Sequence, residues 1–236
     1  MITLPRLAAE SLEKLLGSFM RRRYGDAPAN IVESATRTTM EWIGNSDALY
    51  HNIEHTLMVT LAGQQIIRGR LLSESLTPDD WLHYTCALLV HDIGMVHGVC
   101  EGDTQDSFVI NEAGDRYTPP RGASDAVLAP YHIERAKIYA RQRFAASKFI
   151  NEERIVEAIE MTRFPVPHDP AYQVTNTEPA LVRAADLIGQ LADPFYHRKL
   201  PALFAEFSET GMVEKLGCRS AADLGALFTD FFTLQV

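Results

Sequence analysis

The chain has little cysteine, no excess of basic residues and no long apolar run, and each shortage narrows the classes of protein to which it can belong. Its cysteines, Cys86, Cys100 and Cys218, are odd in number and widely spaced, which argues against a disulfide framework or a Cys-x-x-Cys metal site. The balance of 22 Lys+Arg against 31 Asp+Glu gives a net charge of −9, whereas a general nucleic-acid binder has a basic footprint. No apolar run approaches the roughly 18 residues of a membrane span, and no signal peptide pattern opens the chain. We therefore expect a soluble, cytoplasmic protein.

Helical periodicity is the main structural signal in the chain. With 236 residues, 46% of them hydrophobic, the chain can bury one sizeable core. We predict a single all-α domain over residues 1–236, with an N-terminal helical cap at 1–44, a core at 45–195 and C-terminal helices at 196–236. Thr77-Pro78-Asp79-Asp80 predicts the start of a helix that is apolar nearly all round, which is typical of the centre of a domain.

Two further features concern the loops and helix boundaries. Residues 98–129 are rich in Gly, Asp, Pro and Asn, and so long a connection is typical of a lid or binding loop. Within it, 108–110 and 116–118 flank a turn and predict a small hairpin. The helix that carries the first candidate site residues is predicted over 48–72. Ser220 is predicted to cap the last helix, which carries Leu224, Leu227, Phe228, Phe231 and Phe232.

Polar side chains at three places interrupt apolar stretches. His51 and His55, four residues apart on the predicted helix, would share one face, although either alone could be a hydrogen-bonded core histidine. His91 and Asp92 close the apolar run 86–90, and Asp186 lies in a second such run. A buried carboxylate must be paired, and a divalent metal or, for Asp186, a salt bridge to Arg183 one turn earlier would satisfy it. These residues are therefore candidate metal ligands.

In chain order, this pattern of His, then His-Asp, then Asp resembles the HD-domain superfamily of metal-dependent phosphohydrolases over residues 45–195, with 91–94 as the most specific local match. The segment 50–55, Tyr-His-Asn-x-x-His, is similar to one in class I cyclic nucleotide phosphodiesterases. The resemblance implies an HD-type helical bundle. It also implies that His51 donates a proton, that Asp92 orients the attacking water and bridges any second ion, and that the metal ligands are His55, His91, Asp92, Asp186 and, for a second ion, His132.

The function implied is a phosphohydrolase or phosphodiesterase that hydrolyses a nucleotide or other small phosphoester with a metal-activated water. One or two divalent ions are expected, and Mn, Fe, Zn, Mg, Co and Ni are not distinguished by the residues. The alternatives are a non-catalytic regulatory module that binds metal or nucleotide, and an HD-like di-iron oxygenase, for which additional histidines such as His97 would be needed. We expect the partner to be a small phosphorylated substrate, most simply a nucleotide, and expect no membrane association and no general nucleic-acid binding. An oligomer is possible.

The chain departs from the phosphodiesterases after His-Asp, where Gly94-Met95-Val96-His97 replaces their further Asp-His pair. Gln190 is interpreted as a packing residue rather than as their purine-binding glutamine. Three cations are candidate phosphate contacts: Arg135, Lys137 and Arg163. Three histidines are interpreted as structural, although His168 could border the pocket: His83, His168 and His197.

Overall fold

The computed structural model describes residues 3–227 and confirms an all-α fold. The helices are α1 (Leu4–Tyr24), α2 (Asp26–Ile43), α3 (Ile53–Arg70), α4 (Pro78–Val90), α5 (His132–Phe144), α6 (Glu152–Glu160), α7 (Glu178–Leu191), α8 (Tyr196–Glu209) and α9 (Met212–Lys215). Short 3₁₀ helices cover Ile93–Met95, Asp125–Tyr131 and Pro170–Gln173. The predicted hairpin is present as β1 (Phe108–Val109) and β2 (Arg116–Tyr117), paired antiparallel.

Local capping chemistry explains where two of the site helices begin. The Thr77 hydroxyl accepts from the Asp80 N–H at 3.2 Å, and the Asp80 carboxylate accepts from the Thr77 N–H at 2.8 Å. This reciprocal pair starts α4, as predicted. At the start of α7 the Thr177 hydroxyl acts as a simple N-cap and accepts from the Ala180 N–H at 3.4 Å.

The predicted start of α3 was wrong. The helix begins at Ile53 rather than near residue 48, because the Asn52 side chain accepts from the N–H groups of Glu54 and His55 at 2.9 and 3.3 Å and so acts as the N-cap. His51 consequently precedes the helix. The premise that His51 and His55 share a face of one continuous helix does not hold.

Helix α4 lies at the centre of the fold, as its apolar sequence predicted. Every residue from Trp81 to Val90 is buried, and α2, α3, α6 and α7 all pack against it. Buried residues of α1 and α2 belong to the same core cluster. The division of the chain into cap, core and C-terminal helices stays a prediction.

The connection at 98–129 is held to the core by Arg135, whose side chain is fully buried. Its guanidinium donates to the carbonyls of Gly94, Val96 and Val109 and pairs with Asp103 at 2.9 Å. All of its N–H groups therefore donate to the loop or to the turn after α4. The expectation that Arg135 contacts phosphate was wrong.

Ser220 caps a helix near the end of the described residues, as predicted. The Ser220 hydroxyl accepts from the Asp223 N–H at 3.2 Å, and residues 221–227 are helical. Leu224 is buried and Leu227 packs beside it, whereas Phe228, Phe231 and Phe232 lie outside the described residues. Within 3–227, no helix has both the length and the apolar character needed to cross a membrane.

Candidate metal centre

Four buried side-chain atoms from three separate elements meet at one point. His55 Nε2, on the first turn of α3, lies 3.0 Å from Asp92 Oδ2 and 3.4 Å from Asp186 Oδ1. His91 Nε2, at the end of α4, lies 3.0 Å from the same Asp92 oxygen and 3.7 Å from the same Asp186 oxygen. The structure thus brings together the four side chains that the sequence proposed as ligands of one ion.

Apart from these contacts with one another, none of the four atoms has a hydrogen-bond partner within residues 3–227, although all four are shielded from solvent. Buried polar atoms are rarely left unsatisfied, so four at one point need an explanation. Ligands about 2.1 Å from a cation lie roughly 3.0–3.4 Å from one another, which resembles the spacing seen here. Imidazole nitrogens with carboxylate oxygens form a donor set suited to Fe, Mn, Zn, Co or Ni, and the residues therefore fit a divalent metal.

The backbone after α4 explains how adjacent residues can share this point. The α-helix ends at Val90, His91 is its C-cap, and Asp92 has φ −101° and ψ 1° before the 3₁₀ turn. The His91 Nδ1–H donates to the Leu88 carbonyl at 2.9 Å, which leaves Nε2 to face the cluster.

Gly94 lets this turn approach α5 closely. A Cβ atom at Gly94 would lie 2.0 Å from the His132 carbonyl oxygen and 2.6 Å from the Ala136 nitrogen. A glycine is therefore required here for close packing of the turn against α5.

The electrostatics of the cluster favour charged groups of both signs. Burial opposes the imidazolium of His91, but Asp92 and Asp186 outweigh burial and raise the pKa of His91 well above its usual value. Burial likewise opposes ionisation of Asp92, yet His91 and His55 hold the pKa of Asp92 well below its ordinary range. The carboxylates are thus maintained as anions, the form that a metal binds.

His132 is the first residue of α5 and faces the other oxygen of Asp92. Its Nδ1 is hydrogen-bonded to the Ala129 carbonyl, and its Nε2 lies 3.7 Å from Asp92 Oδ1. Burial lowers the pKa of His132 despite the nearby Asp92, so the neutral imidazole is favoured. This placement suits a second cation bridged by Asp92.

His51 lies beside the cluster with a partner of its own. Its Nδ1 is 2.5 Å from Glu206 Oε2, and Glu206 Oε1 accepts from the backbone N–H groups of Tyr50 and His51 at 2.6 and 3.2 Å. Burial disfavours the imidazolium, but the Glu206 carboxylate outweighs burial and raises the pKa of His51 to about 9. At neutral pH, His51 therefore holds a proton that it can donate.

Glu206 was not predicted from the sequence as a site residue. It lies on α8, is only 2% exposed, and stands 155 positions after His51. A signal was present, because Glu206 falls between Leu203 and Phe207 on the apolar side of the helix. An acid there has the same burial cost that drew attention to Asp186.

A cavity of about 440 Å³ opens beside the cluster, and Asp92, Asp186, His132 and His51 all line it. Its size is within the range of small-molecule pockets. Much of its wall comes from 162–166, α7, α8 and the segment 210–216. Ala129 is the single member of 98–129 that the described residues place at the cavity, so the long loop contributes less than expected.

The other candidates lie in different surroundings. His97 pairs with Asp125 at 2.6 Å and stacks on Phe108, and it does not line the cavity. His83 Nδ1 contacts the Asp79 carbonyl and its Nε2 accepts from the Asn151 N–H, which is a structural role. His168 and His197 are exposed and lie outside the cavity.

The other two residues that were predicted to contact phosphate, Arg163 and Lys137, form salt bridges with glutamates. Arg163 pairs with Glu134 and Glu160, and Lys137 pairs with the same glutamates. Arg183 does not form the alternative salt bridge to Asp186, because its guanidinium donates instead to the Tyr172 carbonyl at 2.8 Å. Gln190 lines the cavity, and its Oε1 is buried without a hydrogen-bond partner in the described part of the chain.

Fold and site together define an all-α protein with a buried His/Asp cluster beside a cavity. Residues 5–236 match the family described as Npun_R2479-like, and the chain belongs to that family. Comparison with curated proteins and with solved structures returned no match.

Proposed function

We propose that the protein is a metal-dependent phosphohydrolase of the HD type, acting on a nucleotide or another small phosphoester. The observation that carries the proposal is the convergence of four buried, unpartnered ligand atoms next to a cavity of substrate size. The order of the ligands along the chain, from α3, the end of α4 and α7, supports the HD-type assignment. The free, buried cysteines are in keeping with a reducing compartment such as the cytoplasm.

His55, His91, Asp92 and Asp186 would hold one cation, and Asp92 with His132 would contribute to a second. A divalent cation at this site supplies Lewis acidity towards phosphoryl oxygens and lowers the pKa of water. Asp92 lies where its carboxylate can orient an attacking water. The wall formed by 203, 207 and 212 is apolar and limits access of bulk water to the phosphoester.

His51 would donate the proton that the leaving oxygen needs. Because Nδ1 faces Glu206, the donating atom is Nε2. Glu206 keeps the ring oriented and protonated, so it acts as a positioning residue for the acid. This division assigns metal binding and proton donation to different side chains.

The test is metal analysis of the purified protein with a panel of phosphoesters, together with two variants. We expect Asp92→Ala to lose both bound metal and turnover, and His51→Ala to keep the metal while turnover falls by about 10²–10⁴-fold. His168→Ala, which changes an exposed histidine outside the cavity, is the control. Full metal occupancy in Asp92→Ala would contradict the assignment of the site.

One observation favours a second candidate, a di-iron oxygenase. His132 adds a third imidazole near the carboxylates, and iron sites that activate oxygen use several histidines. Running the same panel aerobically and anaerobically separates the two. Oxygen consumption with iron, without phosphate release, would favour the oxygenase.

A further inference from the structure

Arg183 is a cation on the cavity wall that has no anionic partner within residues 3–227. The residue is 8% exposed, and one of its donors, Nη1, donates to the Tyr172 carbonyl at 2.8 Å. No carboxylate of residues 3–227 forms an ion pair with it, and burial lowers its pKa. Its Nε and Nη2 atoms make no hydrogen bond within residues 3–227 and are not shut off from solvent, so they are available to an anion that enters the cavity.

The described residues place two other cations on the cavity wall, and one of them has anionic partners while the other does not. Arg163 also lines the cavity, but Glu134 and Glu160 neutralise it. Lys215, on α9, lines the cavity and is exposed, and it has no ion pair in the part of the chain that the structure describes. The cavity therefore presents two cations without counter-ions, one fixed and one on a flexible stem.

The position of Arg183 relates it to the metal centre. Arg183 and Asp186 are three residues apart on α7, so their Cβ atoms are on the order of 5–6 Å apart on one face. An anion bound by Arg183 would lie about one helical turn from the candidate ligand Asp186. The apolar side chains Leu203 and Phe207 complete the wall of the same cavity.

We propose that Arg183, assisted by Lys215, binds a second anionic group of the substrate. The substrate is then a phosphoester that carries a further carboxylate or phosphate across a short, partly apolar spacer. This inference rests on the proposed function, because it places the scissile phosphate at the metal centre. A bidentate guanidinium contact suits either a carboxylate or a phosphate. The probes below differ in this second group, so their affinities show which of the two anions is bound.

The test measures binding, by calorimetry, of three non-hydrolysable probes to the manganese-loaded protein. The probes are benzylphosphonate, 4-(phosphonomethyl)benzoate and p-xylylenediphosphonate, which differ in the second group only. We expect the protein to bind one of the two doubly anionic probes about tenfold or more tightly than benzylphosphonate. In Arg183→Gln this preference should fall to near unity, while the affinity for benzylphosphonate is kept.

Arg198→Gln is the matched control, since Arg198 is an arginine outside the cavity that contacts the Phe195 ring. Lys215→Gln removes an exposed charge, so it should fold normally and reduce the preference in part. If Arg183→Gln does not fold, Arg183→Lys and Lys215→Gln decide the matter, and an unchanged preference in both overturns the inference. Equal affinity of the unmodified protein for all three probes, or failure to bind any, overturns it as well.

Hydrolysis of phenyl phosphate is measured separately. If benzylphosphonate binds but no member of the phosphoester panel, phenyl phosphate included, is cleaved, the proposed function fails, and the ratio of affinities still decides the role of Arg183. If phenyl phosphate is cleaved but no probe is preferred, the proposed function stands and the second anionic subsite does not.

Discussion

At the scale of single residues, the pairing of His51 with Glu206 determines which proton is available beside the candidate metal centre. Glu206 is held in place by two backbone N–H donors, so its charge is fixed relative to the imidazole. Burial would raise the pKa of Glu206, but His51 and these donors outweigh burial and lower it. The result is an ion pair that is already formed before substrate arrives, as an acid catalyst requires.

Changing Glu206→Gln should alter the pH dependence of turnover. In the proposed mechanism the protonated imidazole is the active form, so kcat of the unmodified protein should decline as pH rises through the raised pKa of His51. Without the Glu206 carboxylate, burial of His51 loses its largest compensation and the pKa of His51 falls, which moves this alkaline limb to lower pH. Above the new pKa, kcat should fall roughly tenfold per pH unit.

The measurement is kcat against pH for both proteins. Glu209→Gln is the control, because Glu209 lies one turn further along α8 and contacts Ser124 instead of His51. An alkaline limb that stays near pH 9 in Glu206→Gln would show that Glu206 does not set the charge of His51.

At the scale of elements, the contact between α3 and α7 positions two of the four candidate ligands. Gly189 on α7 lies against Val59 on α3, and a Cβ at Gly189 would be 2.8 Å from the Val59 Cα atom. His55 is one turn before Val59, and Asp186 is one turn before Gly189. The separation of these helices therefore sets the distance between His55 Nε2 and Asp186 Oδ1.

We expect Gly189→Ala to weaken both metal binding and folding. The obstructing atoms belong to the backbone of α3 and cannot rotate away, so the helices must separate. Overpacking of this kind costs about 1–3 kcal/mol in free energy of unfolding. Denaturant unfolding and calorimetric titration with Mn²⁺ measure the two effects.

Gly69→Ala supplies the matched control in α3, since a Cβ there meets nothing within 4 Å. That change should leave metal binding intact and raise the free energy of unfolding by up to about 1 kcal/mol, because alanine is less flexible in the unfolded chain. Metal affinity in Gly189→Ala equal to that in Gly69→Ala would refute the role given to this contact.

The element boundaries show what local sequence can predict. Thr77 was identified as a helix start because its cap, proline and acid lie within four residues, and the hairpin strands were found from their flanking turn residues. The start of α3 was misplaced because residues 45–52 contain several possible caps. Their sequence does not rank them, whereas the fold selects Asn52.

The candidate site also has parts that the sequence could predict and parts that it could not. Asp92 and Asp186 could be found because acids within apolar runs have a visible burial cost. The partner of His51 could not be identified, since contacts across 155 positions leave no local pattern. Arg183 is placed near Asp186 by helical spacing, but the direction of its guanidinium depends on the Tyr172 carbonyl, which is outside that helix.

At the scale of the whole molecule, the candidate metal centre joins three parts of the chain. Its ligands come from α3, the segment after α4, and α7, with loops and other helices between them in sequence. The raised pKa of His91 indicates that a proton on its imidazole compensates the carboxylates of the cluster. A cation that binds here must displace that proton, so metal binding and folding are linked to pH.

Manganese should therefore stabilise the folded protein, and more strongly as pH rises. A ligand at 100 times its dissociation constant adds about 2.7 kcal/mol, or roughly 5–10 °C in thermal midpoint for a chain of this size. Below the raised pKa of His91 the proton competes with the metal, and this competition weakens as pH increases towards that pKa. The shift in thermal midpoint on adding Mn²⁺ should then grow with pH, and Asp92→Asn should abolish it because the amide oxygen is a weaker, uncharged ligand. His168→Ala should respond like the unmodified protein. A shift that is independent of pH, or that persists in Asp92→Asn, would mean that the stabilising metal binds elsewhere.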